Sequence, residues 1–405
     1  MAKAMRFEAL DSWRGICALC VVMFHFIGMM PSSLETSPFL RNSYLFVDFF
    51  FVLSGFVLCH SYRGKIVNPS DMLRFAIRRA GRVWPLHAVV LASFIALVVW
   101  INRLPHPEDL DLTVSGTVYS IDAIIPSALL LNAMGLVHGN VWNGPAWSIG
   151  AEFYVYLLFA LLLLFSGRRL VLPCLALAVA GLILLHRWAP ALMNSTWDYG
   201  IIRCIAGFFG GVVAFHVHEV TGQRGFFRAT MWELGAIVVA VLFVIFAGDG
   251  ADAVSPLSLA APVVFGAAVI IFAGQQGLIS LVLRARPFKA LGRYSFSIYM
   301  IHQPLLIMLC YGLWSGGYYT KAFEGAVTQP WMGSVDLVMV DFMLAVVVLA
   351  AASYRFIEVP ARRAFNRLAD RPFAFRFSRK DRLAYDRSAR LPYRLGVADH
   401  ALDRG

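Results

Sequence analysis

The residues that could do chemistry in this chain sit inside runs that are otherwise apolar. In LDSWRGICALCVVMFHF, Arg14 and His25 are separated by ten residues. At 3.6 residues per turn this is just over three turns, which puts both on one helix face about 16 Å apart along the axis. Histidine titrates near neutrality, so its imidazole can take a proton from a hydroxyl or carry a transferred group itself. Glu152 lies in WNGPAWSIGAEFYVYLLFALLLL and is the one charged residue of that stretch. A carboxylate there must be paired, protonated or both. Placed in the outer half of the bilayer, it matches the depth expected of His25, and a His–carboxylate pair would hold the imidazole in one tautomer. Trp147 and Ser148 open the same segment and could contact a sugar or only mark the membrane interface.

Other polar groups recur at comparable depth. YLFVDFFFVLSGFVLCHSY carries Asp48 near its start and Ser54-Gly55 in its middle. Arg74, Arg78, Arg79 and Arg82 follow at spacings that spread them over one and a half helical faces. They suit either retention of positive charge on one side of a membrane or phosphate binding, since the guanidinium fork matches phosphate oxygens. Arg203 stands just inside a later apolar run. His302 lies mid-run in GRYSFSIYMIHQP, with Arg293 at its entrance and Asp341 as an expected partner for either His302 or Arg203. The six cysteines fall in apolar runs without metal-like clustering apart from Cys17 and Cys20, and read as buried thiols; no metal site is expected.

These residues must be positioned by membrane-spanning helices. Of the 405 residues, 59% are hydrophobic and 15% charged, where a soluble globule averages about a quarter charged. The mean hydropathy is +0.69. Disordered, fibrous, nucleic-acid-binding and disulfide-scaffold classes are thereby excluded, despite a net charge of +11. The pattern predicts an all-α polytopic bundle with ten spans, at 13–30, 44–62, 84–101, 146–165, 170–187, 200–217, 231–247, 256–273, 294–313 and 335–357. The stretch 121–137, which contains Asp122 and Pro126, is expected to be interfacial or re-entrant, and 278–283 is too short to cross.

With the N-terminus inside, the loops on its side carry 16 Lys and Arg, against 4 in the opposite loops. Positive charge is retained in the cytoplasm, so both termini are expected there. The basic balance reports this topology and gives a face attractive to anionic lipid. A membrane domain over 1–360 and a basic cytoplasmic tail over 361–405 are expected, with an uncleaved first span.

Five stretches in order, LDSWRGICALCVVMFHF, VDFFFVLSGF, RRAGRVWPLH, PAWSIGAEFYVYLL and LGRYSFSIYMIHQP, resemble acyltransferase family 3. These are bacterial inner-membrane enzymes that O-acylate carbohydrates, and the resemblance covers about residues 8 to 360. It implies acyl-CoA, commonly acetyl-CoA, as a cytoplasmic donor substrate, with no permanently bound cofactor. The acceptor it implies is exopolysaccharide, O-antigen or another glycan or glycolipid. It also implies His25 as the catalytic histidine, with Arg14 as its partner in the motif and Glu152 as the family's acidic residue. Arg78, Arg79 and Arg82 match the basic segment, and His302 matches a late histidine. Asp48, Ser54, Trp147, Ser148 and Arg293 join these as expected substrate contacts.

On this reading CoA phosphates dock on the arginines and the pantetheine arm passes Arg14. His25, oriented by Glu152, then acts as a base toward a sugar hydroxyl or is itself acylated. The segment 102–145, with His106, Glu108, Asp109, Asp111, His138 and Trp142, is expected to shape acceptor choice. A secondary transporter or flippase is the competing class, but the chain shows neither inverted symmetry nor paired Gly/Pro-broken helices.

Overall fold

The computed structural model describes residues 7–30, 32–105, 119–139, 141–166, 170–221, 225–248, 254–317 and 335–371. Among the described residues, ten helices, each long and apolar enough to cross a membrane with the turns that extend it, follow in chain order. They are α1 Glu8–Ile27, α2 Phe46–Tyr62, α3 Pro69–Ile101, α4 Ala146–Ser166, α5 Val171–Trp188, α6 Gly200–Val220, α7 Phe226–Phe246, α8 Ala261–Ala273 (extended at its start by a 3-10 turn, Pro256–Ala260), α9 Arg286–Ser315 and α10 Val335–Ser353. A π-helical turn, Tyr354–Glu358, joins α10 to α11, Val359–Ala369. Helices are the expected solution, because lipid offers the backbone no hydrogen-bond partner of its own. Side chains such as Val238, Val239, Leu242 and Phe246 of α7 are exposed, as a lipid-facing surface requires. This is a multi-pass membrane protein. The compact helical unit runs to Ala369, and the tail expected from 361 lies mostly outside the described residues.

Two helices outrun their apolar blocks. α3 starts at Pro69 rather than 84, and α9 at Arg286 rather than 294. Hydropathy marks where lipid begins, not where a helix does. Asn68 caps α3 by accepting from the Asp71 amide at 2.9 Å, Pro69 supplies the first helical φ, and Asp71 pairs with Arg74 at 3.5 Å. The arginines of this region are therefore set on one rigid helix.

α1 lies along α9, and α2 along α6. Where α1 crosses α9 the two backbones touch. A β-carbon on Gly292 would fall 2.1 Å from the Asp11 carbonyl oxygen, and one on Gly15 would fall 2.6 Å from the Gly292 nitrogen. Small residues permit such approach in membranes. The helices run in the same direction, and each carries a histidine ten residues beyond its glycine: His25 after Gly15, His302 after Gly292. Equal rise then brings both histidines to one level.

Between α3 and α4, the stretch 121–137 forms a 3-10 turn, Ile121–Ala123, and a short helix, Ile124–Ala128, and is irregular beyond it. It does not cross. The Trp84 indole donates to the Ala128 carbonyl at 2.9 Å, and His87 Nε2–H donates to Ser127 O at 2.7 Å. Those α3 residues lie about 21–26 Å along the axis before Ile101, so the segment dips deeply alongside α3 from the face opposite the N-terminus. Asn143 then donates to the Met300 carbonyl in mid-α9 at 3.0 Å. α4, starting three residues later, begins well below that far face.

Candidate active site

His25, in the last turn of α1, and His302, in α9, face one another with ring centroids 4.9 Å apart. His25 Nδ1 lies 2.9 Å from Val21 O and 3.3 Å from His302 Nε2. His302 Nδ1 lies 3.3 Å from Ile298 O. A carbonyl only accepts, so Nδ1 carries the proton in both rings. The His25 Nδ1–H is then shared between Val21 O and the His302 Nε2 lone pair. This leaves His25 Nε2 as the nitrogen with a free lone pair, the arrangement a base or nucleophile needs.

His25 lines a cavity of about 360 Å³ at the far face, together with Tyr44, Tyr119, Trp142, Trp147, Tyr299 and Gln303. Trp142 holds a left-handed backbone, φ 54°, which bulky residues rarely adopt, and its indole donates to Ser120 O at 3.0 Å. The buried Gln303 Oε1 has no partner among the described residues. Outside the spans, burial pushes the Tyr119 phenol up to about 12, so it stays a neutral O–H.

One wall of this cavity is held by a buried ion pair. Arg203 of α6, 1% exposed, donates from Nε and Nη2 to the two Asp48 oxygens at 2.9 and 2.7 Å. Its remaining nitrogen contacts are Ser195 O and Tyr44 O, and its guanidinium stacks on Trp147 with 5.3 Å to the ring centroid. With four guanidinium hydrogen bonds, two of them to the carboxylate, the pair can persist at membrane depth.

A second, narrower cavity of about 180 Å³ approaches from the arginine-bearing face and is lined by Arg14, Ser54, Arg79, Arg82, Ser148, Glu152 and Tyr299. Val47 and Tyr299 line both cavities and form the partition between them. Tyr299 is held there by a 2.7 Å hydrogen bond with Ser148. Arg82 pairs with Glu358 of the π-turn at 2.5 Å, and Glu358 also accepts from Ser297. Arg14 lies 3.6 Å from Asp11. Arg79 lies against two adjacent aromatic rings, 5.5 Å from Tyr62 and 5.7 Å from Phe75, and its buried Nε has no acceptor among the described residues.

Several expectations change. Glu152 does not meet His25: it faces Ser54 and Tyr156, with Arg14 and Arg82 as its charged neighbours. The reason is that α4 starts deep, after the dipping segment, so two turns into it is the arginine side rather than the outer half. Asp48 lines neither cavity, being spent on Arg203. Arg293 is exposed, and neither it nor Arg78 lines the narrow cavity. Asp341 is exposed on α10 and pairs with neither Arg203 nor His302.

Arg14, Ser54, Arg79, Arg82, Ser148 and Glu152 share the narrow cavity, while His25 and Trp147 share the wide one. His106, Glu108, Asp109 and Asp111 lie outside the described residues. Tyr299, Gln303 and Glu358 were not read from sequence. For His302 as the partner of His25, the equal glycine-to-histidine intervals were the available signal.

The family model described as an acyltransferase domain matches residues 7–354. Acyltransferase MdmB of Streptomyces mycarofaciens is 25% identical over 348 residues, covering 79% of this chain and 81% of its own. BcsY of Komagataeibacter xylinus, a candidate membrane-bound transacylase by name, is 26% identical over 322 residues, 75% of this chain and 73% of its own. Protein 2 in the picA locus of Rhizobium radiobacter is 34% identical over 165 residues, 38% of this chain and 81% of its own. No solved structure matches.

Proposed function

The chain belongs to acyltransferase family 3, and from that premise we propose that it moves an acyl group, acetyl as the expected case, from acyl-CoA to a carbohydrate hydroxyl. The arginine-bearing face is cytoplasmic, the membrane is the bacterial inner membrane, and the acceptor is an extracytoplasmic glycan or glycolipid. The observation that carries this reading is the pair of cavities meeting at Tyr299, one lined by arginines and the other holding His25. A donor with phosphates at one end and a thin thioester arm suits the first. A hydroxyl-bearing acceptor from the opposite face suits the second.

In the reaction, His25 Nε2 takes the proton of the acceptor hydroxyl as its oxygen attacks the thioester carbonyl. The C–S bond then breaks, the ester remains on the acceptor, and His25 returns the proton to the departing CoA sulfur. The imidazolium formed in between keeps Nδ1–H on Val21 O and His302 Nε2, so His302 takes the orienting role first expected of Glu152. Glu152 instead offsets the charge of Arg14 and Arg82 along the donor path. The unpartnered Gln303 amide oxygen accepts from a hydroxyl neighbouring the one that reacts. Direct transfer is preferred to an acyl-histidine, which water in so roomy a cavity would hydrolyse.

The test is the O-acyl content of purified surface glycans by proton NMR before and after mild base. Wild type, a deletion strain and a His25→Ala complement are compared at matched membrane levels. Ester signals should vanish in the deletion and return with wild type alone. Full restoration by His25→Ala would remove His25 from the chemistry, and no ester difference in any strain would remove the surface-glycan acceptor.

A further inference from the structure

Beyond the His25 cavity a larger one, about 550 Å³, opens at the far face. Its walls are Glu35, Thr36 and Arg41 of the α1–α2 connection, Asn194 before α6, and the bridge of Gly248 with Val254 beyond α7. It shares Phe24, Tyr44 and Asn194 with the His25 cavity, so the two adjoin across these three residues. We propose that this vestibule is an extension subsite for the acceptor: it holds the sugars adjacent to the one being acylated, so that the enzyme prefers an oligosaccharide to a single sugar. The inference rests on the proposed function and deepens it.

The chemistry of the walls fits this ligand. Sugars present apolar ring faces and closely spaced hydroxyls. Phe24 and Tyr44 offer aromatic surface at the threshold, and Asn194, Thr36, Glu35 and Arg41 offer donors and acceptors beyond it. Glu35 and Arg41 carry opposite charges, which suits a neutral ligand over a lipid phosphate or CoA. The volume falls within the range of about 300–1,000 Å³ usual for ligand sites. The frame is fixed. Asn42 donates to Val244 O at 2.9 Å and Ile245 O at 3.3 Å, pinning the connection to the end of α7, while Ser32 and Ser33 bond Asp336 of α10.

The probe is the deletion strain's own surface polysaccharide, de-O-acylated, partially hydrolysed and separated into single sugars, disaccharides and longer fragments. Acceptor-dependent CoA release from acetyl-CoA is measured with purified wild type, Thr36→Trp and Arg41→Ala, with acceptor-free thioester hydrolysis as the reference for folding. Wild type should show KM falling as fragments lengthen. Both variants should raise KM for the long fragments about tenfold, the worth of one or two hydrogen bonds, with kcat unchanged. A KM independent of length, or a length preference that neither variant weakens, overturns the vestibule assignment and leaves the transferase standing. If no fragment stimulates CoA release by wild type, the carbohydrate acceptor and the vestibule fall together.

Discussion

His25 and His302 are 277 residues apart in the chain, and their facing ring nitrogens are 3.3 Å apart. The contact follows from two parallel helices that touch at Gly15 and Gly292 and then climb ten residues each. Together with the Val21 carbonyl it holds His25 in one tautomer without a carboxylate. His302→Phe removes the acceptor of the shared proton and should lower kcat by roughly ten- to a hundredfold, below the full 10²–10⁴ usual for loss of a general base. His302→Gln, which still offers an acceptor oxygen, should recover part of that loss. KM for acyl-CoA should stay at the wild-type value in both, and a KM effect without a kcat effect would assign His302 to binding.

Protonating Nε2 removes the lone pair that the mechanism uses. Activity should therefore be full on the alkaline side and fall toward tenfold per unit once pH drops below the point at which His25 takes up a proton. Tyr119, its phenol pushed up to about 12, does not titrate in that window. A kcat with no acid limb at any pH at which the protein stays folded would exclude His25 as the base.

Arg79 presents a buried Nε with no acceptor among the described residues, and Arg293 is exposed away from the narrow cavity. Arg79→Gln should raise KM for acyl-CoA about tenfold, the worth of one charge-assisted hydrogen bond, with kcat held. Arg293→Gln should leave KM unchanged. Equal effects from the two would mean that the arginines act through general surface charge.

Asp48→Ala would leave Arg203 charged and buried without its carboxylate, at a cost of about 3–5 kcal/mol. The expected result is a large drop in melting temperature in detergent and low membrane levels. The double variant Asp48→Leu, Arg203→Met should recover much of that stability, because it removes both charges together. Wild-type melting of Asp48→Ala would show the pair to be dispensable.

Gly292→Ala would place its β-carbon 2.1 Å from the Asp11 carbonyl oxygen, whereas Gly312 on the same helix has nothing within 4 Å. The first substitution should cost about 1–3 kcal/mol of overpacking and lower kcat by parting the histidines. Gly312→Ala should be neutral or stabilising by helix propensity. Thermal melting and kcat, measured together, separate the two.

Apolar run length determined the ten spans, and the residue types identified His25, Arg14, Glu152 and the arginines as the groups worth following. Hydropathy reports whether a segment tolerates lipid, so it recovered the spans. It was silent on the aqueous extensions of α3 and α9, which need only caps and backbone hydrogen bonds. Depth was misread for Glu152, because the start of α4 is set by a segment that dips beside α3 and is anchored at Ser127, Ala128 and Asn143. Partner choice was also beyond the sequence. Arg203 could have taken Asp341, and His25 could have taken Glu152. Helix direction, register at Gly15 and Gly292, and rotation about each axis gave Asp48 to the first and His302 to the second. The chain by itself determined which groups are costly to bury in a membrane. The tertiary structure alone decided which of them meet, since a buried polar group is satisfied by whatever neighbouring helices bring to its level.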